Sequence, residues 1–284
     1  MNTETTHKHH KAHEKTADGL PVGVVSPVAP AKRTETDGPS VPWGPWMAVL
    51  YSLLVYLAAQ LIAVLLLSIY PNLRGWANNV ANNWLNNSVI AQFWYVLLFY
   101  GLSFLATWLF IRYRKGSLRS IGWRRFRWWD PVITLGGFAV YFVGYAILLG
   151  VSTHLFPSLN INQKQQLGFQ NASGTKDLVL TFISLVILPP LVEETIFRGF
   201  IFTGLRNKMR WGWAALLTSA IFASAHLEFG SGQPLLWVAA IDTFTLSLVL
   251  CYLRQKTDSL WPGILLHALK NAVAFLSLFV FHVN

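Results

Sequence analysis

Uninterrupted apolar runs of about 20 residues constrain this chain more than any other feature of its sequence. A helix needs about 20 apolar residues to cross a hydrocarbon layer, because lipid offers no hydrogen-bond partner to an exposed backbone group. Only 12% of the 284 residues are charged, whereas about 25% are charged in a typical soluble domain. The sequence therefore predicts an all-α membrane protein, a polytopic transmembrane helix bundle.

The apolar runs divide the chain into a polar tail and a bundle of about seven spans. Residues 1–42 are rich in Thr, His, Lys, Pro and Gly, so we expect a disordered cytoplasmic tail, with its histidines solvated. Residues 43–284 form the predicted bundle. Its spans are expected at about 46–70, 89–111, 131–153, 177–205, 211–229, 234–253 and 260–281.

The positive charges are distributed unevenly between the predicted loops. With the N-terminus in the cytoplasm, most of the 22 Lys and Arg residues fall on the cytoplasmic side of the membrane. The positive-inside rule then predicts a cytoplasmic N-terminus and an outer C-terminus for seven spans. This distribution accounts for the net charge of +10 without a nucleic-acid partner.

Ionisable side chains are rare in the predicted spans, and nearly all of them lie in the last four. A charge at mid-bilayer costs at least about 2.5 kcal/mol, so each one is a candidate for function. We therefore expect the first three spans to be a scaffold and the last four to carry the chemistry. The candidates are Glu193, Glu194, Arg198, His226, Glu228, Asp242, His267 and Lys270.

Two prolines interrupt the fourth span. A continuous helix through Pro189 and Pro190 would lose backbone hydrogen bonds, so we expect this span to be broken at Pro189-Pro190. Glu193 then lies about one turn into the second half-helix, near its partially positive N-terminus, which favours a carboxylate, while burial opposes the charge. A carboxylate under these two opposing effects is a candidate general base. Glu194 and Arg198 share one helix face four residues apart, which predicts a structural ion pair.

Polar residues in three predicted spans fall at a similar depth. Phe222 and His226 are one turn apart in the fifth span, and His267 and Asn271 are one turn apart in the seventh. The predicted depths of His226 and Asn271 match that of Glu193, as one shared site requires. The alternative is that these groups only hydrogen-bond one another to hold the bundle together.

Three short motifs resemble those of the CAAX protease and bacteriocin-processing family, also called CPBP or Abi. "EETIFR", "FASAH" and "HALKN" are similar to its EExxxR, FxxxH and HxxxN motifs, within residues 175–284. The resemblance implies an intramembrane endopeptidase, a peptide hydrolase acting on membrane-associated proteins or peptides. It implies CAAX-type processing, with a prenylated substrate, or bacteriocin maturation and immunity, and it favours a bacterial plasma membrane.

The resemblance also implies roles for the polar residues. Glu193 and His226 would activate the attacking water, while His267 and Asn271 would stabilise the oxyanion. Glu194, Arg198 and Phe222 would support the site structurally, and no cofactor would be required.

Other interpretations of the same residues stay open. Glu193, His226 and His267 form a possible catalytic zinc set, although the HExxH signature of zinc proteases is absent. Buried charges and a proline-broken helix also occur in transporters, and a non-catalytic bacteriocin-immunity protein is a further alternative. Lys270 departs from the family pattern, and Asp242 is its expected partner.

Overall fold

The structure is a computed structural model that describes residues 41–163, 168–228 and 234–282. The described residues belong to one compact unit, and all regular elements within them are helical. The histidines of the predicted tail lie outside the described residues.

Helices of membrane-spanning length make up most of the described chain. The helices are α1 Pro45–Leu73, α2 Asn78–Asn87, α3 Val89–Tyr113, α4 Asp130–Leu155, α5 Gly174–Arg206, α6 Trp211–Ser224, α7 Trp237–Thr257 and α8 Trp261–Val280. Within the described residues, 6 of them are long and apolar enough to cross a membrane, namely all except α2 and α6. The predicted all-α polytopic membrane fold is confirmed.

The fifth predicted span, 211–229, is shorter than its apolar run suggests. Helix α6 has 14 residues, which corresponds to a length of about 21 Å. It ends at Ser224 because the chain tightens there: the backbone N–H of His226 donates to the carbonyl of Ala223 at 3.0 Å. His226 therefore lies in a turn just beyond α6 rather than inside a helix.

Helix α5 continues through its two prolines, so the predicted break at Pro189-Pro190 is wrong, and Glu193 does not lie near a helix N-terminus. The segments Ile183–Ile187 and Thr195–Ile201 adopt wider π-helical turns, on either side of the α-helical segment Leu188–Glu194. A π turn bends a helix locally and absorbs the ring of a following proline without ending it. Both carboxylates of the first motif thus lie between two distorted turns of one continuous helix.

The residues just before α1 are part of the folded core. Trp43 is buried, and its Nε1 donates to the carbonyl of Phe200 in α5 at 3.3 Å. Asn207 donates to the carbonyls of Val41 and Trp43 at 3.0 and 3.1 Å. Val41 and Trp43, close to the predicted boundary at residue 43, therefore both contact the folded core.

Helix α7 packs against α4, α6 and α8, and helix α5 packs against α1, α3, α6 and α8. Helix α1 packs mainly against α3. Successive turns of α1 expose large apolar side chains such as Leu50, Leu57 and Leu61. A surface of that kind is suited to lipid rather than to water.

Candidate active site

Glu194 and His267 form the buried centre of the polar cluster. One carboxylate oxygen of Glu194 accepts hydrogen bonds from Arg198 Nη1 at 2.9 Å and from His267 Nδ1 at 3.0 Å. All three side chains are buried. Because a lone buried charge is costly, Arg198 pairs with Glu194 within α5. The hydrogen bond from His267 to Glu194 ties α8 to α5 in addition to packing.

The contact with Glu194 fixes the proton arrangement of His267. An ionised carboxylate can only accept, so His267 Nδ1 must carry a proton and donate it to Glu194. His267 Nε2 then faces the other carboxylate of the motif, lying 3.8 Å from Glu193 Oε2. The imidazole is therefore held between two adjacent carboxylates of α5.

Glu193 differs from Glu194 in its surroundings. Its side chain is 16% exposed, whereas that of Glu194 is 0% exposed. Tyr100 OH donates to Glu193 Oε1 at 2.5 Å. Its other oxygen, Oε2, accepts no hydrogen bond from the described residues and is directed toward His267.

Tyr100 is a site residue that the sequence analysis missed. It lies on α3, in the part of the chain expected to be only a scaffold, yet α3 packs directly against the Leu188–Glu194 segment. Tyrosines are common in this chain, so one more within a span gave no distinctive signal. Its position within a span could have indicated a role, because a buried phenol hydroxyl needs a polar partner.

His226 approaches the cluster from the end of α6. Its Nδ1 lies 2.9 Å from the carbonyl of Phe222, which can only accept, so Nδ1 is protonated and Nε2 is left for other partners. His226 interacts electrostatically with Glu193, His267 and Lys270. The structure therefore brings the histidines of the second and third motifs to the same region as Glu193.

Phe222 is the packing surface that these groups share. Its ring centroid lies 4.8 Å from that of His226 and 5.9 Å from that of His267. The Arg198 guanidinium lies over the same ring, 4.5 Å from its centroid, a cation–π geometry. The expected side-by-side placement of Phe222 and His226 is therefore present, although a turn rather than a helix produces it.

Asn271 lies one turn beyond His267 on α8 and contacts the backbone of α5. Its Nδ2 donates to the carbonyl of Leu185 at 2.9 Å. The amide is thus held close to the first π turn of α5, on the same face of α8 as His267.

Comparison with known proteins bears on the same part of the chain. Residues 175–273 match the family model described as Type II CAAX prenyl endopeptidase Rce1-like. We call residues 175–273 the Rce1-like region, and it contains Glu193, His226, His267 and Asn271. The match to the family model confirms the family resemblance that the three motifs predict.

Two curated relatives are similar over longer stretches. An Escherichia coli protein named "Uncharacterized 24.3 kDa protein" is 32% identical over 157 residues, covering 54% of this chain and 62% of the relative. A Bacillus subtilis (strain 168) protein named "Putative membrane peptidase YdiL" is 30% identical over 106 residues, covering 36% and 40%. The matches thus span less than two thirds of either relative's length. No solved structure matches this chain.

Lys270, within the Rce1-like region, has the partner that the sequence suggested. Its Nζ lies 2.8 Å from Asp242 Oδ2 on α7, and Tyr141 on α4 donates a hydrogen bond to the other oxygen of Asp242. This second ion pair links α4, α7 and α8, and it is less deeply buried than the pair of Glu194 and Arg198.

The possible zinc ligands do not converge on one point. Among the residues that the structure describes, no three His, Cys, Asp or Glu side chains are grouped closely enough to hold a metal ion. His267 Nδ1 is already used by Glu194, so only Nε2 remains for a metal. Glu193, His226 and His267 would have to draw together before they could bind zinc.

Proposed function

We propose that this protein is an intramembrane endopeptidase in which Glu193 activates the attacking water. One observation carries the proposal: the adjacent carboxylates Glu193 and Glu194 have different environments. Glu194 is enclosed by Arg198 and His267. Glu193 is held on one oxygen by Tyr100 and leaves the other beside His267. A fixed carboxylate with one open oxygen is suited to proton abstraction.

The proposed reaction is the hydrolysis of one peptide bond. Glu193 Oε2 takes a proton from water, and the resulting hydroxide oxygen attacks the peptide carbonyl carbon to give a tetrahedral intermediate. The intermediate collapses with loss of the amine, which receives the proton from Glu193. The products are a carboxylic acid and an amine, which become a carboxylate and an ammonium ion when the acid proton passes to the amine, and Glu193 is regenerated.

The two histidines have complementary parts in this scheme. His226 keeps Nε2 available for the same water, because its Nδ1–H donates a hydrogen bond to the Phe222 carbonyl. For His267 to stabilise the oxyanion through Nε2, its ring must carry both protons; Nδ1 already donates to Glu194. Asn271 would supply a second donor to the oxyanion. Arg198 and Phe222 support the cluster by pairing and packing.

We propose a membrane-associated protein or peptide as the substrate. The description of the matching family, a CAAX prenyl endopeptidase, supports a chain prenylated near its C-terminus. Bacteriocin maturation or immunity would use the same hydrolysis on another peptide. The proposed mechanism requires no cofactor, and a zinc-dependent version of this protease is the alternative.

The chain is an integral membrane protein. We propose a bacterial plasma membrane, with the N-terminus in the cytoplasm and the C-terminus outside. The excess of basic residues in the loops assigned to the cytoplasm supports this orientation.

The decisive experiment compares the wild type with Glu193→Gln. Both proteins are purified, placed in lipid vesicles and given a quenched fluorescent peptide with a farnesylated cysteine followed by three residues. In parallel, new peptide termini are mapped in membrane fractions of cells expressing each protein. We expect termini that depend on Glu193. The same set of new termini with both proteins, together with cleavage of the fluorescent peptide that does not depend on Glu193, would overturn the proposal that this protein is a protease.

A further inference from the structure

The two prolines of α5 leave the backbone carbonyl of Leu185 without a helical partner. The carbonyl of Leu185 would accept from the N–H of residue 189 in an α-helix, or from that of residue 190 in a π-helix. Both positions are proline, which has no N–H. The next N–H on the N-terminal side, that of Leu188, is bonded to the carbonyl of Ile183.

Asn271 supplies the missing donor. Its Nδ2 lies 2.9 Å from the Leu185 carbonyl oxygen, and this bond crosses from α8 to α5. An unpaired carbonyl inside a membrane is costly, so the proline pair creates a specific demand for a side-chain donor at this point. In a regular α-helix the ring of Pro189 would also clash with the Leu185 carbonyl, because a proline ring meets the carbonyl four residues before it.

The bond to Leu185 also orients the Asn271 side chain. A carboxamide NH₂ group is planar and has two N–H donors. When one N–H is bonded to Leu185, the plane of the amide is fixed and the second N–H remains available. Asn271 shares a face of α8 with His267, whose orientation is fixed in the same way by Glu194.

From this geometry we infer that Pro189-Pro190 and the Leu185 carbonyl are a positioning element for Asn271. The prolines withhold backbone donors from Leu185 so that its carbonyl can orient the amide that stabilises the oxyanion. This inference rests on the proposed function and assigns the prolines a role in catalysis rather than in breaking the helix.

The test is Pro189→Ala, which returns an N–H to the α-helical partner position of Leu185. Because this N–H competes with Asn271, we expect kcat to fall by about 10-fold, as a small misplacement of a catalytic group can cause. KM should change by less than about 2-fold, since ground-state binding is not altered. The variant should be at least as stable as the wild type, because a helix hydrogen bond is regained.

A double-mutant cycle shows whether the proline acts through Asn271. Asn271→Ala should lower kcat by roughly 100-fold, the usual effect of losing one oxyanion donor. In that background Pro189→Ala should cost less than about 2-fold more, because the group that it misplaces is gone. Independent effects that multiply in the double variant would overturn the inference.

A second measurement needs no substrate. Asn271→Ala removes the donor to Leu185, so it should lower the thermal unfolding midpoint in lipid. The shift should shrink to about half or less in the Pro189→Ala background, where residue 189 supplies a donor. An equal shift in both backgrounds would contradict the inference. The control is Pro71→Ala, which removes a proline inside α1 and should leave kcat unchanged.

These results separate the inference from the proposed function. If Glu193→Gln abolishes cleavage but Pro189→Ala has wild-type kcat, the protease stands and the positioning role is wrong. If Glu193→Gln retains full activity, the proposed chemistry itself is wrong.

Discussion

The N-terminal and C-terminal spans of this protein differ in how they meet their surroundings. In the most apolar stretch of each of α1, α3 and α4, 17% of the residues are buried, against 44% in α5 and 50% in α7. The early spans therefore face lipid, while α5 and α7 lie within protein. A membrane protein can therefore keep charged side chains in helices that neighbouring helices shield from the hydrocarbon.

The division between the two regions is not complete. Tyr100 belongs to a lipid-facing helix, yet its hydroxyl reaches Glu193. Helix α4 likewise contributes Tyr141 to the ion pair of Asp242 and Lys270. The early spans thus complete polar contacts of the later ones. The following experiments test how far the division holds.

The largest expected effect is on Glu193. Glu193→Gln removes the base but keeps an oxygen for the hydroxyl of Tyr100, so cleavage should fall by roughly 10³-fold or more while the protein remains folded. The rate of cleavage and the unfolding midpoint are both measured. If the unfolding midpoint of Glu193→Gln also falls well below that of the wild type, this carboxylate has a structural role.

Arg198→Met should have the largest effect on stability. It leaves Glu194 buried with one cation fewer, and breaking a buried pair typically costs about 3–5 kcal/mol. Thermal unfolding in lipid vesicles measures the loss. The matched variant is Lys270→Met, which breaks the more exposed pair with Asp242 and should cost clearly less. Equal losses would show that burial does not determine how much each ion pair contributes to stability.

Tyr100→Phe tests whether a lipid-facing span contributes to the site. It removes the hydrogen bond to Glu193, and such bonds to charged groups contribute about 1.5–3 kcal/mol. We expect kcat to fall by about 10-fold or more with little change in KM. Tyr95→Phe, a tyrosine of the same helix, is the control. If both variants behave like the wild type, α3 is only a scaffold.

A pair of glycine substitutions compares packing in the two regions. A Cβ on Gly263 of α8 would lie 3.1 Å from Glu194 Oε2, so Gly263→Ala should destabilise the protein by about 1 kcal/mol or more. A Cβ on Gly136 of α4 would meet nothing within 4 Å, so Gly136→Ala should be neutral or stabilising by about 0.5 kcal/mol. Unfolding midpoints give both values, and the reverse order would contradict the comparison.

The smallest expected effect is that of metal removal. Because the proposed mechanism uses a carboxylate-activated water, exhaustive chelation should leave the cleavage rate unchanged. Activity that is lost on chelation and restored by zinc alone would favour the zinc alternative, with Glu193, His226 and His267 drawn together as ligands.

Much of the architecture could be predicted from the sequence. The apolar runs predicted the spans because the cost of placing backbone and charge in lipid is local and large. The i,i+4 spacing of Glu194 and Arg198 predicted their ion pair, because both partners lie on one face of one helix and the contact is local in sequence. The end of α6 and the π turns of α5 were harder to predict, because such turns depend on a few backbone hydrogen bonds.

The contacts between helices were decided only by the tertiary structure. The sequence by itself determined the membrane environment, the helices and the set of polar residues that must find partners within them. The choice of partners depended on packing: Tyr100 with Glu193, His267 with Glu194, and Asn271 with the Leu185 carbonyl. Helix rotation and crossing are set jointly by many side chains distant in sequence, so no short motif contains that information.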